Sequence, residues 1–256
     1  MTTLFIFLAG VLGTLSGGSG SYHDEFHQTY ALEAHGRVVL ENINGDVHIT
    51  AWDRNEVKVD AAKSAWSQER LDDAHIVVDS HGGVISIKTR YPGQGDSEHP
   101  ATVDYTVKVP RTARLEQIKL VNGSLEISGM QGEVRASSVS GAIRTRGLGG
   151  DVKLSTVSGR LEATFDKLEA SRSISMNSVN GSIEVLLPVD AHADLQADTV
   201  AGGISSDFGT PTERGPFPGR HWSAALKGGG ARIRVSNVNG SISLTPVWHG
   251  KRVKFT

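Results

Sequence analysis

Glycine recurs every nine residues through the middle of this chain. Gly123, Gly132, Gly141, Gly150 and Gly159 stand at equal intervals, each in the frame apolar-x-Gly-x-apolar-x-(apolar or small). Val121, Leu125 and Ile127 frame Gly123; Val139, Ile143 and Thr145 frame Gly141. Looser copies follow around Gly181, Gly202 and Gly240, and one lies upstream around Gly45. Alternation after each glycine marks a short strand with one buried face. Glycine itself marks a corner too tight or too open for a side chain.

Two kinds of corner alternate. One reads Val-Ser/Asn-Gly, at 141, 159, 181 and 240; the other reads Met-Gln-Gly or Leu-Gly-Gly, at 132 and 150. The repeating unit is therefore about 18 residues, with two strands and two turns. Units of that size stack as coils of a β-solenoid, each burying its apolar face on its neighbours. The second strands of successive coils are expected at Glu133–Ser138, Asp151–Thr156, Arg172–Ser178 and Ala231–Asn237. Asn-Gly between alternating apolar residues also suits an antiparallel hairpin, so a meander is the rival. A meander gives no reason for two corner types in alternation. Both readings are all-β.

Upstream, residues 26–120 are less regular. Short strands are expected at Tyr30–Leu32, Val38–Leu40, Val47–Ile49, Val57–Val59 and Thr102–Val109, with a hairpin about Ser80-His-Gly-Gly83 and a short helix or loop over Ala65–Asp73. These strands are expected to continue the same sheets, making 22–256 one domain with regular repeats over 121–245 and a tail over 246–256. Leu4–Leu15, followed by small residues to Ser21, fits a secretory signal over 1–21, although no Lys or Arg precedes it. A buried N-terminal strand is the alternative. Twelve apolar residues are too few to span a bilayer, which needs about 20, and no later stretch would anchor the mature chain. An extracytoplasmic location follows: periplasm, envelope or medium.

The run Asn42-Ile-Asn-Gly-Asp-Val-His-Ile49, the repeated Val-Asn/Ser-Gly-x-Leu/Ile, Gly202-Gly-Ile-Ser-Ser-Asp-Phe208, Lys227-Gly-Gly-Gly230 and Val238-Asn-Gly-Ser-Ile-Ser-Leu244 together resemble the bacterial putative-adhesin family of β-strand-repeat proteins, a family of unknown function. The resemblance covers about residues 28–245. It implies a solenoid-like β fold in the cell envelope and carries no catalytic residues.

Chemistry is sparse. With 26 Lys+Arg against 28 Asp+Glu, the net charge of −2 gives no surface built to grip nucleic acid. The absence of cysteine excludes disulfides, thiolate metal sites and a Cys nucleophile. Gly147-Leu-Gly-Gly150 is a corner, and no Ser sits in a Gly-x-Ser-x-Gly elbow. His23 and His27 have i,i+4 spacing without the Glu of a zinc-protease helix, and read as linker. Gly149-Gly-Asp151 and Asn44-Gly-Asp46 approach a calcium β-roll motif but lack its second Gly and repeated Asp. Asn122, Asn180 and Asn239 fall in sequons that coincide with corners, where stacked amides could bond as a ladder. Glu126, Arg144, Glu162 and Glu184 occupy equivalent outward positions, a charge-paired solvated column rather than an acid pair for glycoside cleavage. No cofactor or metal is expected.

One segment escapes the repeat. Ser205–Gly230 carries Phe208, Phe217, Arg220, His221 and Trp222 among Pro and Gly. Such a segment either caps the open end of the stack or binds a partner; Trp248 and Phe255 are expected in the same cap. The chain thus reads as a non-enzymatic adhesion or envelope scaffold that meets a surface polymer or protein. A carbohydrate-active β-helix enzyme and a periplasmic ligand- or stress-sensing module are the alternatives.

Overall fold

A computed structural model describes residues 21–92, 100–208, 219–248 and 251–252. Residues 1–20 of the expected signal segment, with Phe217 and Phe255, lie outside the described residues. The first part of the chain holds β1 (Tyr22–Ala31), β2 (Arg37–Asn44), β3 (Val47–Trp52), β4 (Glu56–Ala65), the short helix α1 (Gln68–Asp73), β5 (His75–His81), β6 (Val84–Arg90) and β7 (Thr102–Pro110). The repeats hold β8 (Arg114–Asn122), β9 (Leu125–Ser128), β10 (Val134–Ser140), β11 (Ile143–Arg146), β12 (Val152–Ser158), β13 (Leu161–Thr164), β14 (Ser173–Asn180) and β15 (Ile183–Pro188). The last part holds β16 (Ala193–Ala201), β17 (Ile204–Ser206), β18 (Arg220–Leu226), β19 (Ala231–Asn239), β20 (Ile242–Trp248) and β21 (Lys251–Arg252). Among the described residues the protein is all-β apart from α1.

The strands form two long sheets, neither closed into a barrel. One has eleven strands in the order β1-β4-β7-β3-β9-β11-β13-β15-β20-β17, with β21 beside β20. The other has ten, in the order β18-β16-β19-β14-β12-β10-β8-β2-β6-β5. Through the repeats the chain lays one strand in the ten-stranded sheet, turns at a Val-x-Gly corner, lays the next in the eleven-stranded sheet and returns. The strands flanking Gly141 therefore belong to different sheets, so this corner is no antiparallel hairpin. Within the repeats, neighbours in each sheet run parallel. Ile143 pairs with Leu125 on one side and Leu161 on the other, 18 positions away each way. Val134 pairs with Val152 at the same interval. Beyond β13 the interval becomes 22, as Leu161 meets Ile183, because four extra residues enlarge the corner before β14.

Inward side chains of both sheets form a single apolar core, including Leu125, Ile143, Leu161 and Ile183 from one sheet and Val134, Val152, Ile174 and Ile233 from the other. Parity decides who enters. In β10, Val134, Ala136 and Ser138 are buried while Arg135 and Val139 point out. The sheet ladder continues through the corners: the Gly141 N–H donates to the Ser158 carbonyl at 3.0 Å and the Ile143 N–H to Arg160 at 2.9 Å. Gly141 has φ 139°, a conformation that side chains resist. Gly150 has no such angle; a methyl there would instead strike the Gly132 carbonyl oxygen of the preceding coil.

Chain order and spatial order part company at both ends. The pair β2–β3 lies between β6–β7 and β8–β9, and β19–β20 lies between β14–β15 and β16–β17. The expected succession of second strands, from Glu133 through Ala231, nevertheless matches β10, β12, β14 and β19 as neighbours, because β16 is displaced outward. Around β5 and β6 the expected hairpin forms, with Gly82 and Gly83 both at positive φ. His23–His27, expected as linker, is instead part of β1, which pairs antiparallel with β4 over Tyr22–Ala31. Its alternating half-burial, with Phe26 and Tyr30 packed against the core, explains why that polar-looking run is a strand.

Candidate functional site: a valine groove

The residue before each Ser/Asn/Ala-Gly corner is apolar, and the structure turns it outward. Asn44, Asn122, Ser140, Ser158, Asn180, Asn239 and Ala201 are in register across the ten-stranded sheet. Ile43, Val121, Val139, Val157, Val179, Val238 and Val200, one residue earlier in each strand, therefore stand side by side, and each is 40–59% exposed. The seven rungs span roughly 29 Å at about 4.8 Å per strand. At the other corner type the equivalent residues, Met130 and Leu148, are buried. The repeat frame treats these positions as one apolar class; the fold divides them. Alternation over the residues leading into each Val-type corner sends Ser138 inward and Val139 outward. Met130 and Leu148 lie in loop, where strand parity does not apply. Counting parity from Val134 is the sequence signal that finds the column.

Along this column runs an open groove of about 970 Å³. A parallel column, Ser137, Ser155, Asn177 and Ser236, lines it with small uncharged polar groups. Charge lies toward the ends. Lys119 borders one end, beside Glu41. Asp198, Arg220 and His221 border the other. There His221 Nδ1 lies 2.7 Å from Asp198 Oδ1, across the antiparallel β16–β18 pair. Buried beneath the same strands are Ser138, Thr156, Ser178 and Thr199, whose hydroxyls meet no protein hydrogen-bond partner.

The expected partner-binding loop is thus distributed. Arg220 and His221 open β18 and border the groove, whereas Trp222, 1% exposed, joins the core. Phe208 is half-buried against that core. The strand carrying Trp222 covers the outer edge of β16, so this part of the segment closes the sheet. Trp248 ends β20 with over half its surface exposed.

Elsewhere the titratable groups serve the scaffold. Asp46 accepts from the Ser124 N–H at 2.7 Å, and Asp151 from the Ser173 N–H at 2.9 Å; both carboxylates stitch neighbouring coils. The amide of Asn239 donates to Asn180 Oδ1 at 3.0 Å, a ladder that shorter Ser158 and Ser140 do not extend. On the eleven-stranded sheet Arg144 and His48 flank Glu126 at 3.7 and 3.4 Å. Glu184, in register with Glu162, is buried rather than outward in solvent, because β15 is buried on both faces. His27 lies 2.8 Å from Asp60 and 3.1 Å from Glu25, and the hydrogen bond to Asp60, then that to Glu25, raises its pKa. Burial pushes Tyr91 up to about 12. Among the described residues no group of three or more His, Asp or Glu is arranged to hold a metal ion, and no helix is long and apolar enough to cross a membrane.

The chain is similar to several solved structures. A putative cell adhesion protein from Clostridium sporogenes shares 10% identity, with 86% of this chain and 99% of that one covered and a TM-score of 0.48. A putative lipid binding protein from Parabacteroides distasonis shares 11%, covering 86% and 96%, with a TM-score of 0.39. A putative adhesin from Bacteroides fragilis shares 12%, covering 86% and 97%, with a TM-score of 0.30. No curated protein matches the chain in sequence. The Toastrack DUF4097 family pattern matches residues 31–245, spanning the corners, both sheets and the groove. By that match the chain belongs to the Toastrack DUF4097 family.

Proposed function

We propose that this protein is a non-enzymatic binding scaffold of the cell envelope, exported by its N-terminal segment. Its body is a β-solenoid with coils of about 18 residues, and it holds an elongated partner along the valine groove. One observation carries the reading. Seven β-branched side chains stand exposed in a single row, and through the repeats the columns beside it are polar or charged. An apolar row of that length on a rigid face is costly to leave in water and suits an interaction surface. Stacked parallel strands supply rigidity, and the small neighbours on either side leave the row accessible. Asp46 and Asp151 each accept from a backbone N–H and Glu126 pairs with Arg144 across strands, scaffold roles rather than the paired arrangement of a glycan-cleaving site.

The test combines binding and hydrolysis. The purified protein, and a variant carrying Val139→Ser, Val157→Ser and Val179→Ser, are mixed with cell-envelope fractions of the host and with its isolated envelope polysaccharides and peptidoglycan. Co-sedimentation of the parent, lost in the variant at equal melting temperature, with no reducing ends released, is the expected result. Release of sugars would make the protein an enzyme. Equal sedimentation of both proteins would move binding away from the groove.

A further inference from the structure

We infer that the valine groove takes the single hydrocarbon chain of an anionic membrane amphiphile, with its head group at the Arg220 end. The inference rests on the groove being the binding face and adds the chemistry of what lies in it. Three features of the site select that chemistry.

The first is width. The apolar track is one side chain wide, since its flanking columns are Ser137, Ser155 and Asn177 on one side and Ser140, Ser158 and Asn180 on the other. A protein interface is a broad patch with a desolvated centre, which this track cannot form. A polymethylene chain is narrow, flexible along its length and apolar throughout.

The second is length and charge. Between Ser137 and Ser236 the groove is uncharged across four strands, three steps of about 4.8 Å or roughly 14 Å. One lipid chain reaches about half of a hydrocarbon core about 30 Å thick, or about 15 Å. The neutral stretch is therefore one chain long. Beyond it, Asp198 is engaged by His221, while the exposed Arg220 borders the groove mouth and complements an anionic head. At about 970 Å³ the groove also lies within the roughly 300–1,000 Å³ of small-ligand sites.

The third is what the floor withholds. It is the face of a sheet whose N–H and C=O groups are engaged in its own ladders, so an extended peptide finds no strand edge to pair with. Aliphatic rungs offer no aromatic platform for a sugar. A second copy would present another concave groove, which does not fill this one.

The experiment titrates the purified protein with alkyl phosphates of 8, 10 and 12 carbons below their micelle-forming concentrations, and with alkyl maltosides of matching length. Saturable 1:1 binding is expected, tightening about two- to fourfold per added CH2, the upper value for full burial. The double variant Val157→Ser/Val179→Ser weakens it at least tenfold with an unchanged melting temperature. Arg220→Gln weakens the phosphates and spares the maltosides. Affinity independent of chain length, or unchanged in the double variant, overturns the inference. So does a dimer disrupted by the double variant in a protein that binds no amphiphile. If the variant loses envelope binding while the parent binds no alkyl phosphate, the groove remains the binding face and the acyl assignment falls. If alkyl binding is lost but envelope binding persists, the acyl site stands and the scaffold reading of the groove falls.

Discussion

Gly141 stands directly over Gly123 in the stack of corners, so close that a methyl group on its α-carbon would overlap the Gly123 carbonyl oxygen. The same relation links Gly159 to Gly141 and Gly181 to Gly159. At Gly141 the obstacle is doubled, by φ 139° and by backbone that cannot swing aside. Gly141→Ala is expected to destabilise by about 2–4 kcal/mol. Gly150→Ala, free of the dihedral penalty, tests the stacking contact alone. Denaturant titration of both variants measures each contribution, and an unaltered midpoint for Gly150→Ala would refute the contact.

Thr156 tests the buried hydroxyl row. Its Oγ1 is enclosed, and no protein group bonds it. A buried, unpaired polar group costs about 1–3 kcal/mol. Thr156→Val keeps the branched shape and removes the oxygen, so a gain of about 1 kcal/mol is expected, read from the chemical-denaturation midpoint. A loss of that size would show that the hydroxyl is hydrogen-bonded in solution.

His27 and Asp60 couple the β1–β4 pair to pH. Asp60, then Glu25, raises the His27 pKa above 6.5, so the protonated form is favoured by folding. The contribution is fully present below about 6.5 and is lost as pH rises through the higher folded-state value. Burial tends to raise the Asp60 pKa, but bonds from Lys58 and His27 outweigh it and lower the net value. Nuclear magnetic resonance titration of the imidazole is expected to give a midpoint above 6.5, which Asp60→Asn brings down. An unchanged midpoint in Asp60→Asn would refute the coupling.

Removal of residues 141–158 tests the modularity of the middle. Ser140 and Ser158 are in register, so the cut joins Ser140 to Gly159 and restores the same corner. Since each central unit contacts mainly its neighbours, the shortened chain is expected to fold. Circular dichroism should remain that of a β protein, and small-angle scattering should show a body shorter by about 4.8 Å. Collapse to an unfolded chain would mean that the units are not interchangeable.

Trp222→Ala would open the core beneath β18. For a fully buried Trp the expected loss is about 3–5 kcal/mol, measured by denaturant titration. Arg220→Gln, on the same strand but exposed, should leave stability unchanged. A probe of the groove therefore has to keep Trp222.

The central coils were legible because residue spacing and strand spacing coincide there: Gly123, Gly141 and Gly159 are equidistant in both. Alternation in Val38–Leu40 and Thr102–Val109 likewise announced their strands. Two things stayed hidden. Exposed Val139 and buried Met130 carry similar hydrophobicity, and only strand parity separates them. The interleaving of β19–β20 and β2–β3 depends on contacts far apart in the chain, 59 residues for Ile183 with Ile242 and 78 for Val47 with Leu125, which local pattern does not encode. The groove escaped for the first reason. The sequence leaves Trp222 open between lid and partner anchor, because a large aromatic in a Gly/Pro-rich stretch suits both; β18 uses it to close the core.

The placement of β20 decides how the molecule meets tension. A pull arriving beyond Arg252 first strips the two-residue β21 and then meets β20, which is no rim strand, since β15 and β17 grip it from both sides with parallel ladders. Force along that strand must shear the two rows of hydrogen bonds together, whereas a strand at the margin could be unzipped one bond at a time. A tether at this end would therefore resist extraction better than one drawing on β1, whose single partner is β4.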